Sequence, residues 1–529
     1  MNVLFYVEPL TERENPTWKL GWIQSVELMM AALRKRWPQA HFCCVVGDGL
    51  EDHAKSSLRD CTVAAIHHTE LIPKFGPSAL SVAMDWYRGG TEQRLSEMGA
   101  TLKDKLAGFS PDITITFSAA PFVNRAFPGI PVLHYELGIV SRPPFPPTAY
   151  LDPLGMFNNS YLIRHRKQIQ EYSLTDEDRR LVDSIRKIYL PDIARENPLS
   201  VAITEKLRGF QSRVLVALQF SQFYGYDAHA TYPDQYDLLV QTLENVSSTT
   251  AVIATEHPIF PILTPDTVEY LQRRYANFIW LPEFRTVSFA SQYLMEFVDG
   301  VVTVSSSVGL QTLLWKKPLV VVGHSHLDLI ADAHSLSELQ IILKQPWPLY
   351  KESVLAWHLT RYSIPASILF DEGMICDRIR DAMACLAAGD TEYENFFAEP
   401  YTAVSRIAEA YEQASLPGRL RRQLAERDSQ VAALQEALAY KDRVVNQLVS
   451  EKEQLVSDKE QVVSESRRYV AERDRFSQQL DQIRQTLETI QDGTGWKVLQ
   501  SFWRLRDSLL PGNTQRRKLY DQIMKKRKV

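Results

Sequence analysis

From the amino terminus to about residue 400, short apolar, β-branched runs alternate with longer stretches of helical periodicity. Unbroken apolar runs mark strands buried on both faces, and the helical stretches between them mark crossovers, so the pattern predicts parallel sheets covered by helices. In the first half, strands are expected at 2–7, 41–47, 112–117 and 131–135. In the second, they are expected at 213–218, 251–255, 278–281, 300–304 and 318–323, after a helix-rich stretch over about 158–208. The expected fold is α/β, with two doubly wound, Rossmann-like lobes at 1–195 and 196–400, the last helices of the second free to return to the first. A linker at 401–418 ends this body.

Beyond Pro417-Gly418 the pattern changes. Residues 420–490 contain no Pro or Gly and are rich in Glu, Gln, Arg and Lys. A seven-residue series runs Leu420, Arg427, Leu434, Lys441, Leu448, Leu455, Val462, Tyr469, Phe476, Ile483 and Ile490. The series offset by four is apolar at Leu424, Val431, Leu438, Val445, Leu480 and Leu487, and polar at Lys452, Lys459, Ser466 and Arg473. Together they predict a coiled coil over 419–491 with a polar midsection, and hence a homo-oligomer. Its length would be roughly 100 Å at the rise of an α-helix. A lone charged helix is the plainer alternative, but it would not need the seam.

The segment 495–529 reads as an amphipathic helix. Trp496, Leu499, Phe502, Trp503 and Leu510 share one face, with Lys497, Arg504 and Arg506 largely opposite. The chain carries a formal charge of −5, yet the part from Trp496 onward holds ten Lys or Arg against two Asp, or +8, leaving −13 before it. An apolar face beside a cationic one suits attachment to an anionic membrane surface. A helix docking on a protein partner is the second reading of the tail.

Length and composition exclude several classes. At 529 residues, 45% hydrophobic and 23% charged, the chain has the make-up of a soluble protein of two or three folded units, not a disordered or fibrous one. The net negative charge argues against whole-chain nucleic-acid binding. Five cysteines without a C-x-x-C suggest neither a disulfide framework nor a zinc knuckle. The start, Met1-Asn2-Val3-Leu4-Phe5-Tyr6-Val7, reads as a strand and not as a signal peptide, and no apolar run is long enough to span a bilayer. A cytoplasmic protein, peripherally associated with the inner membrane, is expected.

Candidate chemistry collects where strands are expected to end, which is where ligands sit in such sheets. Strand 300–304 runs into Ser305-Ser306-Ser307-Val308-Gly309-Leu310, hydroxyls and free N–H groups at a helix start that suit a phosphate. A serine that merely caps the helix would explain one of the three. Strand 251–255 opens into Glu256-His257-Pro258, where the histidine is either a donor to a phosphate or nucleotide, or structural. Strand 213–218 continues into an aromatic-rich loop holding Asp227, a nucleophile or a turn residue. Strand 131–135 ends in Glu136-Leu137-Gly138, followed by Arg142. Asp227 and Glu136, from opposite lobes, resemble the paired carboxylates of glycosyl chemistry. Asp176-Glu177-Asp178 reads as a solvated helix face rather than a metal-binding pair, and no metal requirement is expected.

Taken together, Glu136-Leu137-Gly138 with Arg142, the loop Gly225-Tyr226-Asp227-Ala228, Glu256-His257-Pro258 and Ser305-Ser306-Ser307-Val308-Gly309-Leu310 resemble the retaining β-Kdo transferases of bacterial surface polysaccharides. These are relatives of the capsule-linker Kdo transferases and share HP and SS motifs with bacterial sialyltransferases. The resemblance spans roughly residues 1–400. It implies a two-lobed glycosyltransferase-B fold with no cofactor, using CMP-Kdo as donor and a lipid-linked polysaccharide such as an O-antigen chain end as acceptor. His257, Pro258 and Ser305, Ser306 and Ser307 would hold the CMP portion, Asp227 would form a covalent Kdo adduct, and Glu136 would deprotonate the acceptor. Arg142 is the candidate for the sugar carboxylate or a phosphate. The first motif departs from the family pattern, reading Glu-Leu-Gly where relatives often carry two acidic residues. Two rivals stand beside this reading: a CMP-sialic acid transferase of the same fold, and an inactive scaffold whose coiled coil recruits other enzymes.

Overall fold

The computed structural model describes residues 1–10, 16–220, 223–257, 260–415, 420, 459–492, 494–512 and 514–526. The chain divides into two compact units, 1–424 and 425–529.

Within the first unit the apolar runs form two sheets. The first is built from β1 (Asn2–Tyr6), β2 (His41–Gly47), β3 (Cys61–Ile66), β4 (Ile113–Thr116), β5 (Val132–Leu137) and β6 (Thr148–Asp152). The second holds β7 (Ser212–Ala217), β8 (Thr250–Thr255), β9 (Phe278–Ile279), β10 (Gly300–Thr303) and β11 (Leu319–Val321). A last strand, β12 (Ile364–Pro365), returns to the first sheet and pairs antiparallel with β6. The strand orders are β12-β6-β5-β4-β1-β2-β3 and β11-β10-β7-β8-β9. All ladders of the second sheet are parallel. In the first sheet only the β5–β6–β12 edge is antiparallel.

All nine strands expected from the apolar runs are present, and three more join them: β3, β6 and β12. Each lacked the expected signal. The half-exposed strand β3 reads Cys-Thr-Val-Ala-Ala-Ile, β6 follows a proline-rich stretch on an antiparallel edge, and β12 is two residues long. Strands β1 and β4, at the centre of the first sheet, and β7 and β10, at the centre of the second, are almost wholly buried, which is why their sequences are unbroken apolar or Thr-containing runs.

In both sheets the chain starts in the middle and winds outward in both directions, so each has a point where the direction of travel reverses. In the first it lies between β1 and β4, in the second between β7 and β10. Crevices at such points are where open α/β sheets bind ligands.

The acidic triplet opens the long helix Asp176–Arg195. Only part of it is solvated. Asp178 is buried, accepting from the Tyr172 hydroxyl at 2.6 Å and the Thr175 N–H at 3.0 Å, while its own N–H donates to Thr175 Oγ1. It is the inner half of a capping box. Further on, the helix Met374–Ala387 packs against Leu20–Arg36 of the first lobe, and Val404–Ala414 packs against Asp176–Arg195.

In the second unit the described residues form three helices, Lys459–Asp492, Thr494–Leu509 and Gln515–Lys526. The seam positions before residue 459, apart from Leu420, lie outside the described residues, as do the end of the linker and the side chains of Trp496, Lys497 and Leu499. No helix among the described residues is long and apolar enough to cross a membrane.

Candidate active site

Between the lobes lies a cavity of about 580 Å3, lined from the first lobe by residues that include Glu136, Arg142, Tyr150 and Phe157. From the second come His257, Ser305, Ser306, Ser307 and His326. Glu136, Arg142, His257 and the three serines are therefore brought together, as strand-end reasoning expected. Pro258 lies outside the described residues. Asp227 is not among the residues lining the cavity. It closes the short helix Tyr224–Asp227, its N–H donating to Phe223 O at 2.8 Å, one turn beyond the lining residue Phe223. This helix packs on Ala79–Tyr87 of the first lobe through the stacked rings of Tyr87 and Tyr224, with centroids 5.0 Å apart.

Glu136 stands at the carboxyl end of β5, opposite Tyr150 of β6. Burial pushes its carboxyl up to about 7, against the opposing pull of the Leu137 N–H, which donates to Oε1 at 2.7 Å, and of the Arg142 charge. The strand end is tightly packed: a Cβ added at Gly138 would meet Thr148 Oγ1 at 2.5 Å and Ser363 Cβ at 3.0 Å, so only glycine fits between β6 and β12. Arg142 is exposed and crosses the cleft, its guanidinium 5.8 Å from the centroid of Phe289. Phe289 sits at φ +60, a conformation side chains other than glycine rarely adopt. Beside it, Gln292 Nε2 donates to Pro143 O at 2.6 Å, and Gln292 Oε1 accepts from Gln311. These contacts tie the Arg142 loop to the second lobe.

The three serines divide their labour. Ser305 is held across the β7–β10 reversal by Gln219: its N–H donates to Oε1 at 3.1 Å, and Gln219 Nε2 donates to its Oγ at 3.1 Å. Gln219 is in turn fixed by its own N–H, which donates to Gln235 Oε1 at 2.7 Å. Ser306 Oγ accepts from Val308 N–H at 3.4 Å, the capping role the plainer reading assigned to one serine. Ser307 precedes the helix Val308–Trp315 without capping it, and within the described residues neither its N–H nor its hydroxyl forms a hydrogen bond. The positive end of an eight-residue helix and one open hydroxyl thus face the cavity.

His257 follows β8, against Phe220 at 5.0 Å and Phe260 at 5.9 Å between ring centroids. Burial, assisted by Arg142, lowers its pKa to about 4, so at neutral pH it meets a ligand as an uncharged ring. Its neighbour Glu256 serves structure. It accepts from the N–H groups of Ile262 and Leu263 at 2.8 and 2.7 Å, from Trp280 Nε1 and from Arg285, which fastens the loop after His257. Among the described residues lining the cavity, Arg142 is the cation and Glu136 the carboxylate without an arginine bonded to it. Among the described residues no group of three or more His, Cys, Asp or Glu is placed to hold a metal ion.

Sequence reasoning passed over Gln219, Phe289, Gln292 and His326. His326 had a visible signal, since His324-Ser325-His326 follows the expected strand 318–323 as His257 follows its own. Gln292, on the helix Ala290–Leu294, and Phe289, just before it, had none.

Residues 163–340 match the family described as capsule polysaccharide biosynthesis protein, about a third of the chain. Among solved structures, the β-Kdo 2,7 transferase of Thermosulfurimonas dismutans KpsC is 12% identical, covering 71% of this chain and 100% of its own at a TM-score of 0.36. The β-Kdo 2,4 transferase of the same protein is 16% identical, covering 47% and 80% at a TM-score of 0.26. The UDP-GlcNAc 2-epimerase of Methanocaldococcus jannaschii is 12% identical, covering 67% and 98% at a TM-score of 0.27. No curated protein matches the chain.

Proposed function

We propose that this chain is a glycosyltransferase of bacterial surface-polysaccharide synthesis that moves Kdo from CMP-Kdo to the end of a lipid-linked chain. The observation that carries the reading is the single cleft holding an anion-binding helix start, Arg142, a neutral histidine and a carboxyl poised near neutrality. The family match over 163–340, which includes most of the second lobe, supports it.

In this reading Ser307, the N–H groups at the start of Val308–Trp315 and His257 hold the phosphate of CMP, and they gain strength as charge builds on the leaving group. Arg142 pairs with the sugar carboxylate. Glu136 takes the proton of the acceptor hydroxyl; a base with a pKa near the working pH is both ionised and basic enough to do so. Retention through a covalent adduct would need Asp227 to reach the anomeric carbon from one helical turn beyond Phe223. The tail holds the enzyme at the membrane where the acceptor lies, and the coiled coil joins copies of the chain.

Incubation with CMP-Kdo and a panel of oligosaccharide acceptors tests the reaction: a mass increment of one Kdo is expected. Absence of transfer, together with no thermal shift on adding CMP, would sink the proposal. Intact mass spectrometry of the enzyme with donor alone decides the route. A donor adduct that disappears in Asp227→Ala supports double displacement, whereas undiminished transfer by that variant removes Asp227 from the mechanism.

A further inference from the structure

Among the cavity-lining side chains with no part in the chemistry above are Phe157 from the first lobe and His326 from the second, with ring centroids 5.6 Å apart. Both are held in place. Phe157 occupies φ +50, and Gly225 leaves room for its ring, since a Cβ there would come within 3.0 Å of Phe157 Cε2. Strained conformations of this kind persist where surrounding structure fixes them, and they concentrate at ligand sites. His326 begins a short 3-10 turn whose preceding residue is anchored three ways. Ser325 Oγ donates to Val304 O at 2.7 Å and accepts from Leu327 N–H at 3.2 Å, and Ser325 N–H donates to Asp328 Oδ1 at 3.2 Å.

The imidazole so positioned is unused. Its Nδ1 is buried without a hydrogen-bond partner, and neither ring nitrogen bonds another described residue. Burial alone lowers its pKa, to about 4; no charged neighbour contributes, unlike at His257 and Glu136, which both feel Arg142. This corner of the cavity presents an aromatic face and a neutral group able to donate and accept. Apolar C–H faces edged by hydroxyls fit that pairing.

We propose that Phe157 and His326 form the subsite for an uncharged pyranose of the acceptor, its ring face lying on Phe157 and one hydroxyl bonded to His326. The assignment rests on the transferase reading and adds to it which end of the reaction this wall serves. The test varies donor and acceptor independently for wild type, His326→Ala, His326→Gln and Phe157→Leu, with the CMP-induced thermal shift measured on each to show that the donor site is folded. Losing a hydrogen bond and a stacking face should raise the acceptor KM about tenfold or more in His326→Ala and Phe157→Leu, with partial recovery in His326→Gln. Donor KM and the CMP shift should stay at wild-type values. An unchanged acceptor KM, or a rise confined to donor KM, overturns the subsite while leaving the transferase intact. If the wild type transfers nothing, the transferase reading fails by itself, and saturation-transfer NMR with the oligosaccharide alone still decides the subsite. Saccharide signal on wild type that is lost in His326→Ala supports it; no signal, or equal signal on both, overturns it.

Discussion

A carboxyl held near 7 by burial makes a direct statement about rate. Glu136 must be ionised to act as a base, so kcat/KM should climb with pH through about 7 and level off above it, the protonated form dominating below. Glu136→Gln should erase that limb and cut the rate by ~10²- to 10⁴-fold, the usual worth of a positioned base. A profile in the variant that still rises through 7 would assign the limb to another group. Most of the candidate site was legible because strand ends are: Glu136, His257 and Ser305 each follow an apolar run whose polar continuation has to emerge at the sheet edge. The same logic misplaced Asp227 relative to the cavity, because a strand's end fixes where a loop begins and not which way it turns. Here Phe223 and Tyr224 pack against the first lobe, and the aspartate follows one helical turn later, outside the lining of the cavity. Phe289 and Gln292 were invisible for a different reason, being set by how one lobe meets the other.

Strands were legible where an apolar run is long and unbroken. Inner strands such as β1 and β10 cannot tolerate polar interruptions, whereas half-exposed β3, β6 after its proline-rich stretch and two-residue β12 borrow their pairing from neighbours and leave little trace in sequence. The β5–β6–β12 edge supplies a stability prediction. Gly138→Ala would drive a methyl into Thr148 and Ser363, costing about 1–3 kcal/mol and lowering Tm by several degrees, measured by calorimetry. An unchanged Tm would mean that the edge relaxes freely. In the helix Lys459–Asp492 the seam residues Tyr469, Phe476, Leu480 and Ile483 are between 59% and 76% exposed in the single chain. If these positions join copies, Phe476→Asp with Ile483→Asp should lower the particle mass seen by light scattering during size-exclusion chromatography. An identical mass would assign the seam no role in assembly.

At the scale of the whole molecule, charge is segregated along the chain. The two tail carboxylates, Asp507 and Asp521, are taken up by Arg517, at 2.6 and 3.2 Å, and Arg506 also pairs with Asp507. The remaining cations keep company with exposed Val498, Phe502, Leu505, Leu509, Leu519 and Ile523. Deleting 496–529 should therefore abolish flotation with vesicles containing anionic lipid, and raised salt should weaken flotation of the intact chain. Flotation that survives the deletion would place membrane attachment elsewhere. The return of β12 bears on synthesis. Although the first lobe leaves the ribosome early, its sheet edge at β6 stays open until residue 365 is made, and the helix covering Leu20–Arg36 comes later still. At about 5–20 residues per second that interval lasts roughly 10–40 s. Throughout it an unfinished edge is on offer to other nascent chains, and any fragment cut between the lobes inherits the same exposure permanently.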